Sequence, residues 1–457
     1  MASDASMQAP RGTRDWYPDD LLQRRYVEKL WRDVATRFGF DEVEGPTFEH
    51  LSLYTIKSGD EIISQLFSFQ RDGGETAFAL RPEFTPTLAR LYAAKAGGLA
   101  KPTKWWMSGP FFRAERPQRG RLREFLQWNV DFIGGEDTPE ARAQADAEVI
   151  STCVAMLRHA GFRPGDVKIH VGDRGIWTTG LSAVGVPEDE HIKVLQLVDA
   201  REKMSEAQIN EAATRLGLSD RTRDLLTVQK FDLKWTGSGI VAIVGDKQTP
   251  IDVAAIRNLG PFLHAYGIRD WCTIDPQVVR GLAYYTGLVF EARATGERAI
   301  AGGGRYDKLI ELMGGPPTPA VGFAMGDVVL SILMQEKGLM PEGTKLADAI
   351  TQLPASVRPE VFVVSSGNEG CDAELPRLVT ILRASMLHVR HTYKATKNLG
   401  KLLKDASGQG AKLAVIIETP RTASVKNLDT GEQLNEMIEL AALPGRLRQM
   451  LGYSALG

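Results

Sequence analysis

Arg113, Arg116, Arg119, Arg121 and Arg123 crowd one short stretch of this chain, with Glu115 and Glu124 among them. Like charges at that density repel, and a fold gains nothing from them unless anions sit nearby. Two further stretches have the residue types for binding a small polar ligand. Phe78-Ala-Leu-Arg-Pro-Glu-Phe-Thr-Pro places Glu83 and Thr85 in a segment that Arg81-Pro82 and Thr85-Pro86 hold extended or turned. Val278 to Glu291, VVRGLAYYTGLVFE, carries Arg280 beside Tyr284 and Tyr285. No Ser/His/Asp or Cys/His set stands out, and arginines suit the binding of anions because they stay protonated and present a fixed donor fork.

Elements to position these groups can be read from periodicity. The stretch from Trp105 opens with a run of apolar and aromatic residues bounded by Pro102 and Gly109, turns at Arg116-Pro117 and Gly120, and returns through Phe125, Leu126, Trp128, Val130 and Phe132. That pattern predicts a long antiparallel hairpin with the arginines at its bend. Trp16 to Phe38 predicts a helix stopped by Gly39, followed by a strand over 40–43. Glu83 and Thr85 fall at a strand-to-helix junction, where binding groups are common; Thr85 could also serve as a helix cap. Thr138-Pro139 starts a second helix, to His159, and Val167 to Val171 is a short strand. Residues 172–266 are rich in helix formers.

Tyr284 to Glu291 reads as a strand, whose alternation would put one tyrosine in the core and the other in the pocket. Ala301-Gly-Gly-Gly-Arg-Tyr-Asp reads as a glycine-rich loop, its glycines admitting close backbone approach to a ligand. It does not follow the dinucleotide pattern. Ala320 to Leu330 runs from strand into helix. Residues 341–358 form a Pro-punctuated connection. The last hundred residues alternate strand and helix, with Val361 to Val364 and Leu413 to Ile417 as strands covered on both faces, a helix near Glu374 to Ala384, a strand at His388 to Tyr393, a helix from Thr396, and a hairpin turning at Asp429 to Gly431. Lys397, Lys401 and Lys404 would share a helical face. His388 and His391, at odd spacing, lie on opposite faces of the strand and are not a metal pair.

The chain has 457 residues, 43% apolar and 25% charged, with a formal net charge of −2. These values suit a globular protein of two or three domains and give no global attraction to nucleic acid; any RNA contact must come from local basic patches. Cys153, Cys272 and Cys371 are few and scattered, and the first residues lack the apolar core of a signal peptide. A cytoplasmic protein without membrane spans, disulfides or a bound metal site is expected.

Phe111-Phe112-Arg113-Ala114-Glu115 resembles the second signature motif of class II aminoacyl-tRNA synthetases, and ERPQRGRLREF is similar to the histidyl-tRNA synthetase version. RGLAYY resembles that family's RGLDYY motif, and Ala320 to Leu330 its third class II motif. The helix over 16–38 with its following strand resembles the first motif, which in that family makes a dimer contact. The resemblance implies an α+β catalytic core, an antiparallel sheet flanked by helices, over 1–171 and 267–340. It further implies a helical insertion over 172–266, a linker over 341–358, and a C-terminal α/β anticodon-binding domain over 359–457.

The implied reaction joins histidine and ATP, with Mg²⁺, into histidyl-adenylate and transfers the histidyl group to tRNA-His. Arg113 and Arg280 would be catalytic. Arg113, Glu115, Arg123 and Phe125 would hold ATP. Glu83, Thr85, Gln127, Asp131, Tyr284 and Tyr285 would hold histidine. Arg116, Arg119, Arg121, Lys397 and Lys401 would meet tRNA. A homodimer is implied. The sequence departs from the family at Ala283, Asp131, Asp327 and Val329, the last in place of an arginine that packs on ATP; Arg305 is a candidate substitute. The runner-up is a catalytically silent relative that regulates the ATP phosphoribosyltransferase of histidine biosynthesis. Prolyl and threonyl enzymes are opposed by RGLAYY and GGGRYD.

Overall fold

The computed structural model describes residues 8–55, 65–201, 204–227, 231–236, 239–278, 284–351, 356, 358–394, 396–434 and 436–453. Arg280 and Ala283 lie outside the described residues.

An eight-stranded sheet organises the larger part of the chain. Its strands in chain order are β1 (Asp41–Glu42), β2 (Thr103–Phe112), β3 (Glu124–Ile133), β4 (Lys168–Asp173), β5 (Cys272–Ile274), β6 (Leu288–Arg293), β7 (Ala301–Arg305) and β8 (Ala320–Gly326). Across the sheet they run β1-β2-β3-β8-β7-β6-β4-β5. The interior pairs from β2 to β4 are antiparallel, and the two edge pairs, β1 with β2 and β4 with β5, are parallel. The arginine-rich hairpin is therefore real: β2 pairs with β3 from Thr103↔Ile133 to Phe112↔Glu124, leaving 113–123 as its bend.

Helix α1 (Pro18–Arg37) starts on a proline at its first turn and has Asp19 and Asp20 there, which suit the positive end of a helix dipole. Its buried stripe is Val27, Leu30, Trp31 and Val34. Trp31 stacks on Trp128 of β3 at 6.3 Å, and Phe323 of β8 meets Trp128 edge-on at 5.2 Å. These rings tie α1 to the centre of the sheet. Helix α2 (Pro139–His159) is capped by Thr138, whose hydroxyl accepts from Ala141 N–H at 3.2 Å, and covers the same face of the core.

A second sheet, in the C-terminal part, runs Val389–His391, Val361–Ser365, Leu413–Ile417, Thr422–Asn427, Ile438–Glu439. The first three strands are parallel, and all residues of 361–365 and 413–417 are buried, as continuous apolar runs require. The two parts meet at Glu148 of α2, which is fully buried. Lys104 Nζ lies 2.8 Å from it, Arg383 Nη2 3.0 Å and His391 Nε2 3.6 Å. Burial pushes the Glu148 carboxyl up, but the Arg383 and Lys104 cations overcome this and hold it well below the usual carboxylate range. Lys104, losing its hydration, is pushed down to about 8.

Several elements differ from expectation. Residues 172–266 contain a three-stranded antiparallel sheet (Asp232–Trp235, Ile240–Val244, Lys247–Ile251) as well as helices. Its signal was present: a β-branched run, IVAIV, then Gly245-Asp246 at a two-residue turn, with Gly245 at φ 56. The glycine-rich 301–305 is strand β7, not a loop. Its glycines serve packing: a Cβ on Gly303 would lie 2.1 Å from Gly322 O, and one on Gly304 2.6 Å from Leu288 O. The strand expected from Tyr284 begins only at Leu288. The helix expected from Thr396 begins at Leu399, with Asn398 as its cap, so Lys397 precedes it and does not share its face with Lys401. His388 and His391 are both buried, 1% and 2% exposed. Among the described residues, no helix is long and apolar enough to cross a membrane.

Candidate active site

A cavity of about 530 Å³ opens over the antiparallel sheet, walled by β3, β6, β7, β8, the hairpin bend and the segment before α-helical residues Thr85–Ala93. Its floor brings together residues distant in sequence. Tyr284 Oη donates to Glu83 Oε2 at 2.5 Å. Glu83 is 6% exposed, and its other oxygen, Oε1, has no hydrogen-bond partner among the described residues. Burial raises the Glu83 carboxyl, opposed by the Tyr284 bond and by the Arg113 cation. Thr85 lines the same wall with its hydroxyl toward Tyr284. It is not a cap: Phe84 holds the cap position and no side chain caps this helix.

Tyr284 and Tyr285 do not alternate between core and pocket. They precede β6, their rings meet edge-on at 5.1 Å, and both line the cavity. Gln127, on β3, also lines it, with Oε1 buried and unbonded among the described residues. Asp131, four residues further along the same strand, points to the same face and is 3% exposed. Tyr306 Oη donates to Asp131 Oδ1 at 2.6 Å. Burial drives the Asp131 carboxyl up to about 7. Room for it comes from Gly322 on β8, where a Cβ would lie 2.0 Å from Asp131 Oδ1.

Arg113 lies where the bend leaves β2. Its Nε donates to Pro82 O at 3.0 Å, and its guanidinium sits over the Phe125 ring at 5.2 Å. Phe125 is itself stacked with Phe111 at 6.3 Å. Glu115 and Arg121 line the cavity as an ion pair. Arg121, expected at the RNA-facing bend, is therefore a cavity residue. Arg123, expected on ATP, does not line the cavity: its Nε donates to Glu115 O at 3.1 Å and Nη1 to Arg11 O at 3.5 Å, so it fastens the bend to the N-terminal segment. Arg116 and Arg119 stay exposed on the bend, Arg119 held by Glu297 at 2.9 Å and Glu336 at 2.7 Å. Lys397 and Lys401 are exposed on the C-terminal part.

Arg305 cannot replace the missing third-motif arginine. Alternation along β7 turns it away from the cavity, where Nη2 binds Asp146 at 2.6 Å and Nη1 binds Asp307 at 3.1 Å. The next residue, Tyr306, is the one that faces the cavity. The glycines of GGGRYD give no sign of this role; the signal available is a polar aromatic directly after the strand. Asn129, between Gln127 and Asp131 on β3, was missed too. The departure at Asp327 also has a structural account: its carboxylate accepts from Leu126 N–H at 2.8 Å and from Arg14 at 2.6 Å, tying the N-terminal segment to β3 beside Phe125.

An antiparallel sheet with this cleft, flanked by helices and followed by a separate α/β unit, is a class II synthetase core with a C-terminal anticodon-binding domain. The family model for histidyl-tRNA synthetase matches residues 12–327. Proteins named histidine--tRNA ligase are similar over nearly the whole chain. That of Opitutus terrae is 39% identical over 425 residues, 90% of this chain and 91% of that protein. That of Halobacterium salinarum is 36% identical over 446 residues, 95% of this chain and 96% of that protein. The crystal structure of histidyl-tRNA synthetase from Nostoc sp. PCC 7120 shares the fold, with a TM-score of 0.56 at 22% identity, over 97% of this chain and 99% of that one. The chain belongs to the histidyl-tRNA synthetase family.

Proposed function

We propose that this protein activates histidine with ATP to histidyl-adenylate and pyrophosphate and then transfers the histidyl group to tRNA-His, in the cytoplasm and as a homodimer. The observation that carries the reading is one cavity in which two buried acceptors, Glu83 Oε1 and Gln127 Oε1, lie with the Arg113 guanidinium held over Phe125, and in which the wall residue Tyr306 is bonded to Asp131. Glu83 would take the α-ammonium, with Thr85 and Tyr284 fixing its carboxylate. Gln127, Asp131 and Tyr285, with Tyr306, would meet the imidazole nitrogens. A substrate lacking those nitrogens would leave buried polar groups unpaired, which can discriminate by about 10⁴-fold or more.

The substrate carboxylate is the nucleophile at the α-phosphorus, so the protein supplies alignment and charge neutralisation. Arg113 would bind the α-phosphate, Phe125 would stack on adenine, and Glu115 would accept from the adenine amino group. Arg280 is assigned to the same phosphate by resemblance. Glu115, Glu291 and Glu297 of the cavity are each paired with an arginine and form no metal-holding group among the described residues, so Mg²⁺ would enter chiefly on the nucleotide phosphates. When bound, the ion would neutralise charge on the β- and γ-phosphates. Arg116, Arg119, Lys397 and Lys401, being exposed, would meet tRNA phosphates.

Pyrophosphate exchange with each of the twenty amino acids, followed by charging of tRNA-His, tests the proposal. Exchange should require histidine, and Arg280→Ala should slow it about a hundredfold or more, the usual cost of losing a preorganised donor. A protein silent in exchange that co-purifies with an ATP phosphoribosyltransferase would overturn the reading in favour of the regulator. A monomer at working concentration in sedimentation would remove the homodimer.

A further inference from the structure

The turn between β6 and β7 carries Glu297 and Arg298 to the cavity wall. Arg298 runs alongside Val329: a Cβ built on Gly120 would lie 3.0 Å from Val329 Cγ2 and 3.6 Å from Arg298 Cδ. The hairpin bend, the first turn of the helix Asp327–Glu336 and the Arg298 side chain thus converge at one corner of the cavity. The other arginines there are engaged. Arg121 is paired with Glu115, Arg293 with Glu291, and Arg119 with Glu297 and Glu336.

Arg298 has no hydrogen bond or ion pair among the described residues; the groups it feels are Arg121, which repels it, and Glu115. Two guanidinium groups brought to one corner, with Glu115 alone among the described residues to divide between them, form a favourable arrangement when an anion with several charged oxygens lies there. The helix N-terminus at the same corner adds N–H groups of the same polarity. Both observations favour a polyphosphate over a single carboxylate.

We propose that Arg298 is a binding residue for the polyphosphate of the nucleotide, occupying from the β6–β7 turn the corner beside Val329. This rests on the ATP-dependent reading above. Calorimetric titration of the full-length protein with Mg·ATP and with adenosine, for the parent, Arg298→Ala and Arg298→Lys, tests it. Arg298→Ala should weaken ATP binding about tenfold, the scale of one exposed charge-assisted contact, and leave adenosine within about twofold. Arg298→Lys should fall between. In pyrophosphate exchange the ATP KM should rise while the histidine KM stays.

Parent-like ATP binding by Arg298→Ala would overturn the assignment. So would equal loss of ATP and adenosine, which marks a collapsed wall, or a defect confined to the tRNA KM in charging, which marks an RNA contact. A parent that binds no ATP would overturn the proposed reaction and this inference with it. A parent that binds ATP alongside an unaffected variant would overturn only the role of Arg298.

Discussion

The hydroxyl of Tyr284 and the carboxylate of Glu83 meet at 2.5 Å across 201 positions of chain, in the wall of a cavity where both residues are buried. The tyrosine satisfies one oxygen of the acid and leaves the other for a ligand. Tyr284→Phe removes that donor and strands a buried carboxylate. The histidine KM in pyrophosphate exchange should rise about tenfold or more, with ATP KM nearly constant, since a hydrogen bond to a charged group contributes about 1.5–3 kcal/mol. An unchanged histidine KM would detach this pair from the amino-acid site.

Asp131 offers a stability signature. Its carboxyl is raised by burial from 3.8 to about 7, so the folded state binds its proton more tightly than the unfolded state does. Below 3.8 both states hold the proton and there is no penalty; above about 7 both lose it and the whole penalty is present. The parent should therefore lose stability as pH rises between those values. Asp131→Asn should lack that loss, so its stability relative to the parent should grow from pH 5 to 8 by at most about 3 kcal/mol. Denaturant melts across that range check it, and a constant difference would contradict the buried placement.

Arg305 should act on folding alone. Arg305→Ala leaves Asp146 and Asp307 without their shared cation in a buried setting, at a cost of about 3–5 kcal/mol. Urea midpoints should fall accordingly, while ATP KM in the folded fraction stays within about twofold. A tenfold rise in ATP KM would return Arg305 to the nucleotide site.

Glu148 joins the sheet core to the C-terminal unit. Glu148→Gln leaves Lys104 and Arg383 buried around a neutral group, and stability should drop by about 3–5 kcal/mol. Because the folded carboxyl is held below 4.5, its contribution is present above that value and is lost as pH falls through the depressed one. The gap between parent and variant should narrow in acid. Equal melts at pH 7 would show that the cluster contributes nothing net.

Much of the molecule was legible in the primary structure, and what was not follows a pattern. The hairpin of β2 and β3, helix α1, the Thr138 cap and the doubly covered strands Val361–Ser365 and Leu413–Ile417 are local: period, turn residues and caps act over a few positions and were read directly. Arg113, Glu115, Phe125 and Gln127 were expected from the resemblance of the hairpin to the family's second motif. The three-stranded sheet over 232–251 is masked in the sequence by the helix-forming composition around it, despite a clear Gly-Asp turn.

The residue types and their order thus determined the elements, the concentration of arginine at one bend and the family to which the chain belongs. Only the tertiary structure decided which charges face the cavity. Arg121 turns in while Arg123 fastens the N-terminal segment; Arg305 turns to Asp146 while its neighbour Tyr306 reaches Asp131. An arginine can find an anion in many directions, and its partner is set by which distant carboxylate the folded sheet brings within about 3 Å, a distance that no local rule encodes.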